Sequence, residues 1–155
     1  YSQAGIAVFA LVGAAGALAA PLAGRIADRG WTRPATFGAL ASVAVAYVMA
    51  WAGGAAGSVV LLAAAGILLD FGVQANMVLG QRAIYALAPE ARGRMNGLYV
   101  ASAFAGGAIG SAIASGTFSQ GGWSLVSWVG LAFPAAALLL YTTELFCRRP
   151  VPRRA

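Results

Sequence analysis

The stretch AAAGILLDFGVQANMVLGQ, residues 63–81, is an almost unbroken apolar run with one acid, Asp70, inside it. Together with the apolar residues just before it, it makes a segment over 58–81. At ~1.5 Å per residue a helix of that length crosses the ~30 Å hydrocarbon core of a bilayer. Asp70 then sits about twelve residues from either end, ~18 Å deep and near the bilayer centre. An ionisable side chain at that depth costs roughly 3 kcal/mol or more. The chain has four acids in 155 residues, so placing one there calls for a reason.

The neighbours of Asp70 follow a helical period. At about 100° per residue, Gln74, Met77 and Gln81 fall within about 40° of Asp70, and Gly66 joins the same face. Leu68, Leu69, Val78 and Leu79 lie largely elsewhere. The segment is thus an apolar rod with a polar stripe, and such a stripe faces protein or a water-filled cavity rather than lipid. Two roles for Asp70 stay open. An acid whose access to water alternates loads and releases a proton or holds a cationic solute. Alternatively, Asp70 pairs structurally with an Arg or another donor outside this sequence. Gln74 and Gln81 either hydrogen-bond a solute or satisfy each other and nearby helices. Asn76 lies off the stripe and reads as a packing contact.

Composition makes the bilayer the expected solvent. The chain is 61% hydrophobic and only 9% charged, against about a quarter charged in ordinary soluble domains. There is no Lys and no His, so all ten positive charges are Arg. With abundant Ala and Gly, this points to GC-rich coding and a bacterial source. The high isoelectric point, about 10.5, does not indicate nucleic-acid binding, because the Arg residues lie in short clusters between apolar runs rather than along one face. The single Cys147 excludes an internal disulfide and a cysteine metal cluster. The sequence starts at Tyr1 without Met or a positively charged leader, and a piece of a longer protein is expected.

Five apolar segments are expected as transmembrane helices: 5–24, 34–52, 58–81, 95–118 and 123–147. The links between them alternate in charge. Arg25, Arg29 and Arg33 follow the first segment. Arg82, Arg92 and Arg94 precede the fourth. Arg148, Arg149, Arg153 and Arg154 form a basic tail over 148–155. The links GGAAG (53–57) and SQGG (119–122) carry no charge. By the positive-inside rule the Arg-bearing side, with the C-terminus, is cytoplasmic. Tyr85 and Tyr99 near that side read as interfacial anchors. Glu144 lies within reach of the interface and Arg148. In the fourth segment Gly106 and Gly110, and likewise Gly107 and Ser111, are four apart. The first segment carries Gly13, Gly16, Ala20 and Gly24. Small residues at this spacing let helix backbones approach closely. The second and fifth segments are bulkier and suit lipid contact.

The first charged link reads GRIADRGWTR, residues 24–33. It resembles the loop signature G-x-x-x-D-[RK]-x-G-[RK]-[RK] of the major facilitator superfamily, with Gly24, Asp28, Arg29 and Arg33 matching. Gly30 comes one position early, and Thr32 replaces a basic residue. The second link, LAPEARGRMNGLY, with the AFAGGAIGSAIA that follows, is similar to the join between helices 10 and 11 of that family. The resemblance implies an all-α membrane fold in which these segments are helices 8 to 12 of twelve, the N-terminal half and helix 7 being absent. It implies that the third segment lines a central substrate cavity. It also implies that the first and fourth pack between halves and that the second and fifth lie outside.

Physically, Gly24 allows a neighbouring helix end to come close. Asp28 can accept from helix-terminal N–H groups or pair with an Arg, a contact suited to latching a gate. The plainer reading is a turn whose Arg residues set topology. The expected function is a secondary transporter, with proton-coupled export of a small organic solute by alternating access. Its partners are the bilayer and the missing half, with no cofactor, no metal and no nucleic acid. The alternative is a small integral-membrane interaction subunit without transport activity. An intramembrane enzyme is not expected, since there is no His, no second Cys and no paired carboxylates.

Overall fold

The computed structural model describes residues 18–87 and 89–147. Among them are four α-helices and one 3₁₀ turn. The helices are α1 (Ala19–Asp28), α2 (Thr32–Ala56), α3 (Val59–Leu87) and α4 (Arg92–Cys147), with the 3₁₀ turn at Pro89–Ala91. Most of the first expected segment, including Gly13 and Gly16, and the basic tail over 148–155 lie outside the described residues.

The connections are shorter than the apolar pattern suggests, because glycine ends the helices within single turns. After α1, Gly30 takes φ 79. Its N–H donates to Ala27 O at 2.9 Å, while the Trp31 N–H reaches Ile26 O at 3.2 Å. This pair of bonds closes a helix through a left-handed residue, usually glycine. It accounts for the early Gly30: the glycine is where this turn needs it. The same pattern ends α2. Gly57 takes φ 64, its N–H donates to Gly54 O at 3.3 Å, and the Ser58 N–H donates to Gly53 O at 2.9 Å. Ser58 then starts α3, its Oγ accepting from the Leu61 N–H at 3.3 Å. Residues 53–56 of the uncharged link are therefore helical, and the turn itself is Gly57 and Ser58.

At the Arg-bearing end α3 runs on through Arg82 and Tyr85 to Leu87. Pro89, which disfavours a helical residue before it, comes next. A helix of 29 residues is about 43 Å long, so its last turns extend past the hydrocarbon core. Helix α4 is broken at Gly122, with φ 60 and ψ −153, a conformation essentially reserved for glycine. The break makes two arms, 92–121 and 123–147. They fold back on each other, since Gly107, Gly110 and Ala114 of the first and Val126, Gly130 and Phe133 of the second line one cavity.

Small residues set the packing. Ala19 and Ala23 of α1, Ala39 of α2, and Ala75 and Leu79 of α3 form one buried cluster. Helices α2 and α3 come close together at Gly72, where a Cβ would stand 2.5 Å from Ser42 Oγ and 2.8 Å from Ala39 O. The second arm of α4 is fastened to α2 at both ends. Trp123 Nε1–H donates to Ala50 O at 2.8 Å, and the Tyr141 hydroxyl donates to Arg33 O at 3.1 Å. Trp51 and Trp128 also meet with centroids 5.4 Å apart and planes tilted by 50°, and Tyr47 lies over Gly130. Val45, Val48, Phe133, Leu139 and Leu140 stay exposed, as suits helices that meet lipid. Helices α2 and α3 and the long α4 region are each apolar and long enough to cross a membrane.

Candidate functional site

The buried residues of α3 are Ala65, Gly72, Ala75 and Leu79. At about 100° per residue they centre on the face opposite Asp70. The face that α3 packs on α1 and α2 is therefore the reverse of the polar stripe. Asp70 and Gln74 are half-buried. A Cβ added at Gly66 on their face would meet nothing within 4 Å. Among the described residues Asp70 has no ion-pair partner. It lies eleven residues after Val59 and seventeen before Leu87, with the excess helix all on the Arg-bearing side.

Towards the Arg-bearing end, the first arm of α4 covers the stripe. Gln81 Nε2–H donates to Asn96 Oδ1 at 3.2 Å, and the Tyr85 hydroxyl donates to the same oxygen at 2.8 Å. The Tyr99 ring lies against Gly80, its hydroxyl 3.4 Å from Met77 O. Tyr85 and Tyr99 are thus interhelical braces. Residues 101–109 of the same arm are exposed. The structure brings Gln81 into a network with α4, while Asp70 and Gln74 lie half-buried on the face opposite the packed one.

The loop-signature residues divide between two places. Gly24 is buried, and the Arg82 guanidinium passes over it, 3.2 Å from where a Cβ would stand. Arg82 Nη1–H donates to Asp28 Oδ1 in an ion pair. Gly24, Asp28 and Arg82 therefore form one cluster joining the ends of α1 and α3. Arg29 caps α1. Arg33 stands apart in the first turn of α2, on the wall of a cavity of about 540 Å³ that Asn76, Tyr99, Tyr141 and Glu144 also line. Sequence reading assigns Arg82 only to topology. Its signal is that it follows Ala75 and Leu79 at i+7 and i+3, so it continues the packed edge of α3 once the helix is extended.

The stripe of Gly106, Gly107, Gly110 and Ser111 is not a contact between described helices. A Cβ at any of its three glycines would meet nothing within 4 Å. Gly107, Gly110 and Ser111 line the cavity of about 370 Å³ between the arms and Tyr47. Among the described residues, the glycines that neighbouring groups do approach are Gly24, Gly53, Gly54, Gly72, Gly80, Gly121 and Gly130.

The long apolar helices fit the family and the relatives that this chain is similar to. The Major Facilitator Superfamily family model matches residues 1–155. The chain is 36% identical over 119 residues to "Uncharacterized transporter YgaY" of Escherichia coli O157:H7, covering 77% of this chain and 30% of that protein. It is 32% identical over 136 residues to "Probable transporter SCO4007" of Streptomyces coelicolor, covering 84% of this chain and 31% of that protein. The chain thus spans less than a third of the length of these relatives. No solved structure matches it significantly. With the family model matched along its full length, the chain belongs to the Major Facilitator Superfamily.

Proposed function

We propose that this chain is the C-terminal portion of a transporter that exports a small organic solute in exchange for protons, its two halves rocking about a central site. One observation carries the reading: Asp70 and Gln74 lie on the α3 face opposite the packed one, and Asp70 is without an ion-pair partner among the described residues. An intramembrane acid on such a face meets water from alternate sides as the halves rock. It takes a proton when open to one side and gives it up on the other. Gln74 and Gln81 supply neutral hydrogen bonds along the same stripe. The Gly24–Asp28–Arg82 cluster acts as a latch at the helix ends, on the side that the Arg bias makes cytoplasmic in a bacterial inner membrane. Gly106, Gly107, Gly110 and Ser111 supply a small-residue surface for close helix packing on the first arm of α4.

The test uses the full-length transporter in inverted membrane vesicles that hold a pH gradient. A panel of lipophilic organic cations and organic acids is added, and proton release is followed with a pH-sensitive dye. At least one solute should collapse the gradient. Asp70→Asn should abolish that response, and Asp70→Glu should retain it. A solute that moves without protons, or a response unchanged in Asp70→Asn, removes Asp70 from coupling.

A further inference from the structure

We propose that the cavity of about 370 Å³ between the two arms of α4 and Tyr47 is a binding site for a small neutral aromatic alcohol, a phenol in chemical class. A second cavity of about 350 Å³ adjoins it, and Tyr47, Gly110, Gly130 and Phe133 line both. Ligand sites begin at about 300 Å³ and set a few polar groups among apolar walls. Tyr47 stands fifteen residues after Thr32 and nine before Ala56 on α2, which puts it inside the ~30 Å hydrocarbon core.

Two polar atoms at this place lack partners, for different reasons. Pro134 sits inside the helix of the second arm and has no N–H. The carbonyl of Gly130, four residues earlier, therefore loses its helical donor. Gly130 and Pro134 both line the second cavity, so that carbonyl opens on it. The Tyr47 ring lies over Gly130. Its hydroxyl makes no hydrogen bond among the described residues, whereas those of Tyr85, Tyr99 and Tyr141 each make one. No fully buried side-chain oxygen among the described residues lacks a partner, so the Tyr47 hydroxyl reaches open space. Within a bilayer both atoms need a partner, because lipid supplies none.

The two atoms ask for the two halves of one hydroxyl group. Gly130 O accepts from its proton, and the Tyr47 hydroxyl donates to its oxygen. The walls fix the rest of the ligand. Val43, Ile113, Val126, Val129 and Phe133 are apolar, and no lining residue carries a charge. A charged ligand would find no counter-ion there and is excluded. Water supplies the same two bonds but leaves the walls uncovered. An aromatic ring that carries the hydroxyl covers them, packing on Phe133 and Tyr47. Phe133 is 53% exposed and gives the ligand a way in from the lipid. Helix α3 contributes no residue to either cavity, so the site is separate from Asp70 and does not depend on which ion or solute the transporter moves.

Equilibrium binding of radiolabelled para-butylphenol to the full-length transporter in nanodiscs tests the proposal, with empty nanodiscs as the blank. Binding should saturate. The methyl ether para-butylanisole keeps the oxygen but has no O–H to give Gly130. It should compete roughly tenfold more weakly, the value of one hydrogen bond. Pro134→Ala returns an N–H to Gly130 O and should erase that preference; alanine is the better helix former, so this variant should fold. Tyr47→Phe removes the donor and should weaken the phenol and the ether alike. Gly110→Leu fills space where a Cβ meets nothing within 4 Å and should abolish saturable binding. The proposal is overturned if the phenol does not saturate above the blank. It is equally overturned if the wild type holds phenol and ether alike, the mark of an unselective apolar crevice, or if the preference survives Pro134→Ala.

Discussion

Arg82, near the end of α3, donates to the carboxylate of Asp28, the last residue of α1, and lies across Gly24 as it does so. Each member explains another. Gly24 lacks the side chain that would push the guanidinium away, and Asp28 gives it an end point. The two side chains remain 43% and 66% exposed, so the pair contributes under ~1 kcal/mol to stability. The latch proposed for it would therefore act by choosing between conformations, not by holding the fold.

That separation gives the first prediction. Asp28→Asn and Arg82→Gln should leave the thermal stability of the full-length protein almost unchanged while lowering its transport rate several-fold. The charge swap Asp28→Arg with Arg82→Asp should recover part of the rate. Single variants that transport like the wild type would show that these charges set topology alone. Gly24→Ala should be mild, because the atom it meets at 3.2 Å is the far end of a flexible arginine.

The helices are legible in the sequence because 20 or so apolar residues in a row leave the backbone no other way to satisfy itself in lipid. The stripe through Asp70 is legible for the same reason, since period alone places Gln74 and Gln81 beside it. Helix ends are less so. The Gly57–Ser58 turn and the Gly122 break each depend on one glycine dihedral, and a run such as GGAAG does not say which glycine bears it. Close contacts are the least legible. Gly72 looks like any other glycine in an apolar run, whereas the Gly106–Gly110 spacing looks like a contact, yet a Cβ at either glycine would meet nothing within 4 Å. Which face of a helix is covered depends on elements far away in sequence.

Gly72 and Gly66 lie on the same helix and should respond oppositely to alanine. At Gly72 the new Cβ would stand 2.8 Å from Ala39 O, which is backbone and cannot turn aside. Overpacking of this kind destabilises by about 1–3 kcal/mol. At Gly66 nothing lies within 4 Å, and alanine gains up to ~1 kcal/mol of helix propensity. Melting curves of purified full-length protein should place Gly72→Ala below the wild type and Gly66→Ala at or above it. A Gly72→Ala protein as stable as the wild type would mean that α2 and α3 do not cross there.

Gly122 should tolerate no side chain. Its φ of 60 with ψ −153 lies where an L residue is strained by roughly 1–3 kcal/mol. A residue that refuses this conformation would favour continuing the helix from 121 to 123 and would separate the arms. Trp123 would then lose its bond to Ala50 O and Tyr141 its bond to Arg33 O. Gly122→Ala should lower both the membrane yield and the melting temperature of the purified full-length protein. Gly121→Ala is the harsher control for crowding alone, because its Cβ would meet Leu125 Cβ at 2.6 Å without any change of dihedral.

Asn96 Oδ1 serves two donors at once, Gln81 Nε2–H at 3.2 Å and the Tyr85 hydroxyl at 2.8 Å. All three side chains are half-buried where α3 meets the first arm of α4. Tyr85→Phe removes one bond together with its donor and should cost about 0.5–1.5 kcal/mol. Asn96→Ala strands both donors and should cost more, about 1–3 kcal/mol. The shared oxygen makes the two changes non-additive: once Asn96 is alanine, the Tyr85 hydroxyl has lost its acceptor and its removal should cost almost nothing. A double-mutant cycle on thermal stability reads this coupling directly. Strict additivity would mean that Tyr85 bonds elsewhere, and the link between the polar stripe and the first arm would then rest on Gln81 alone.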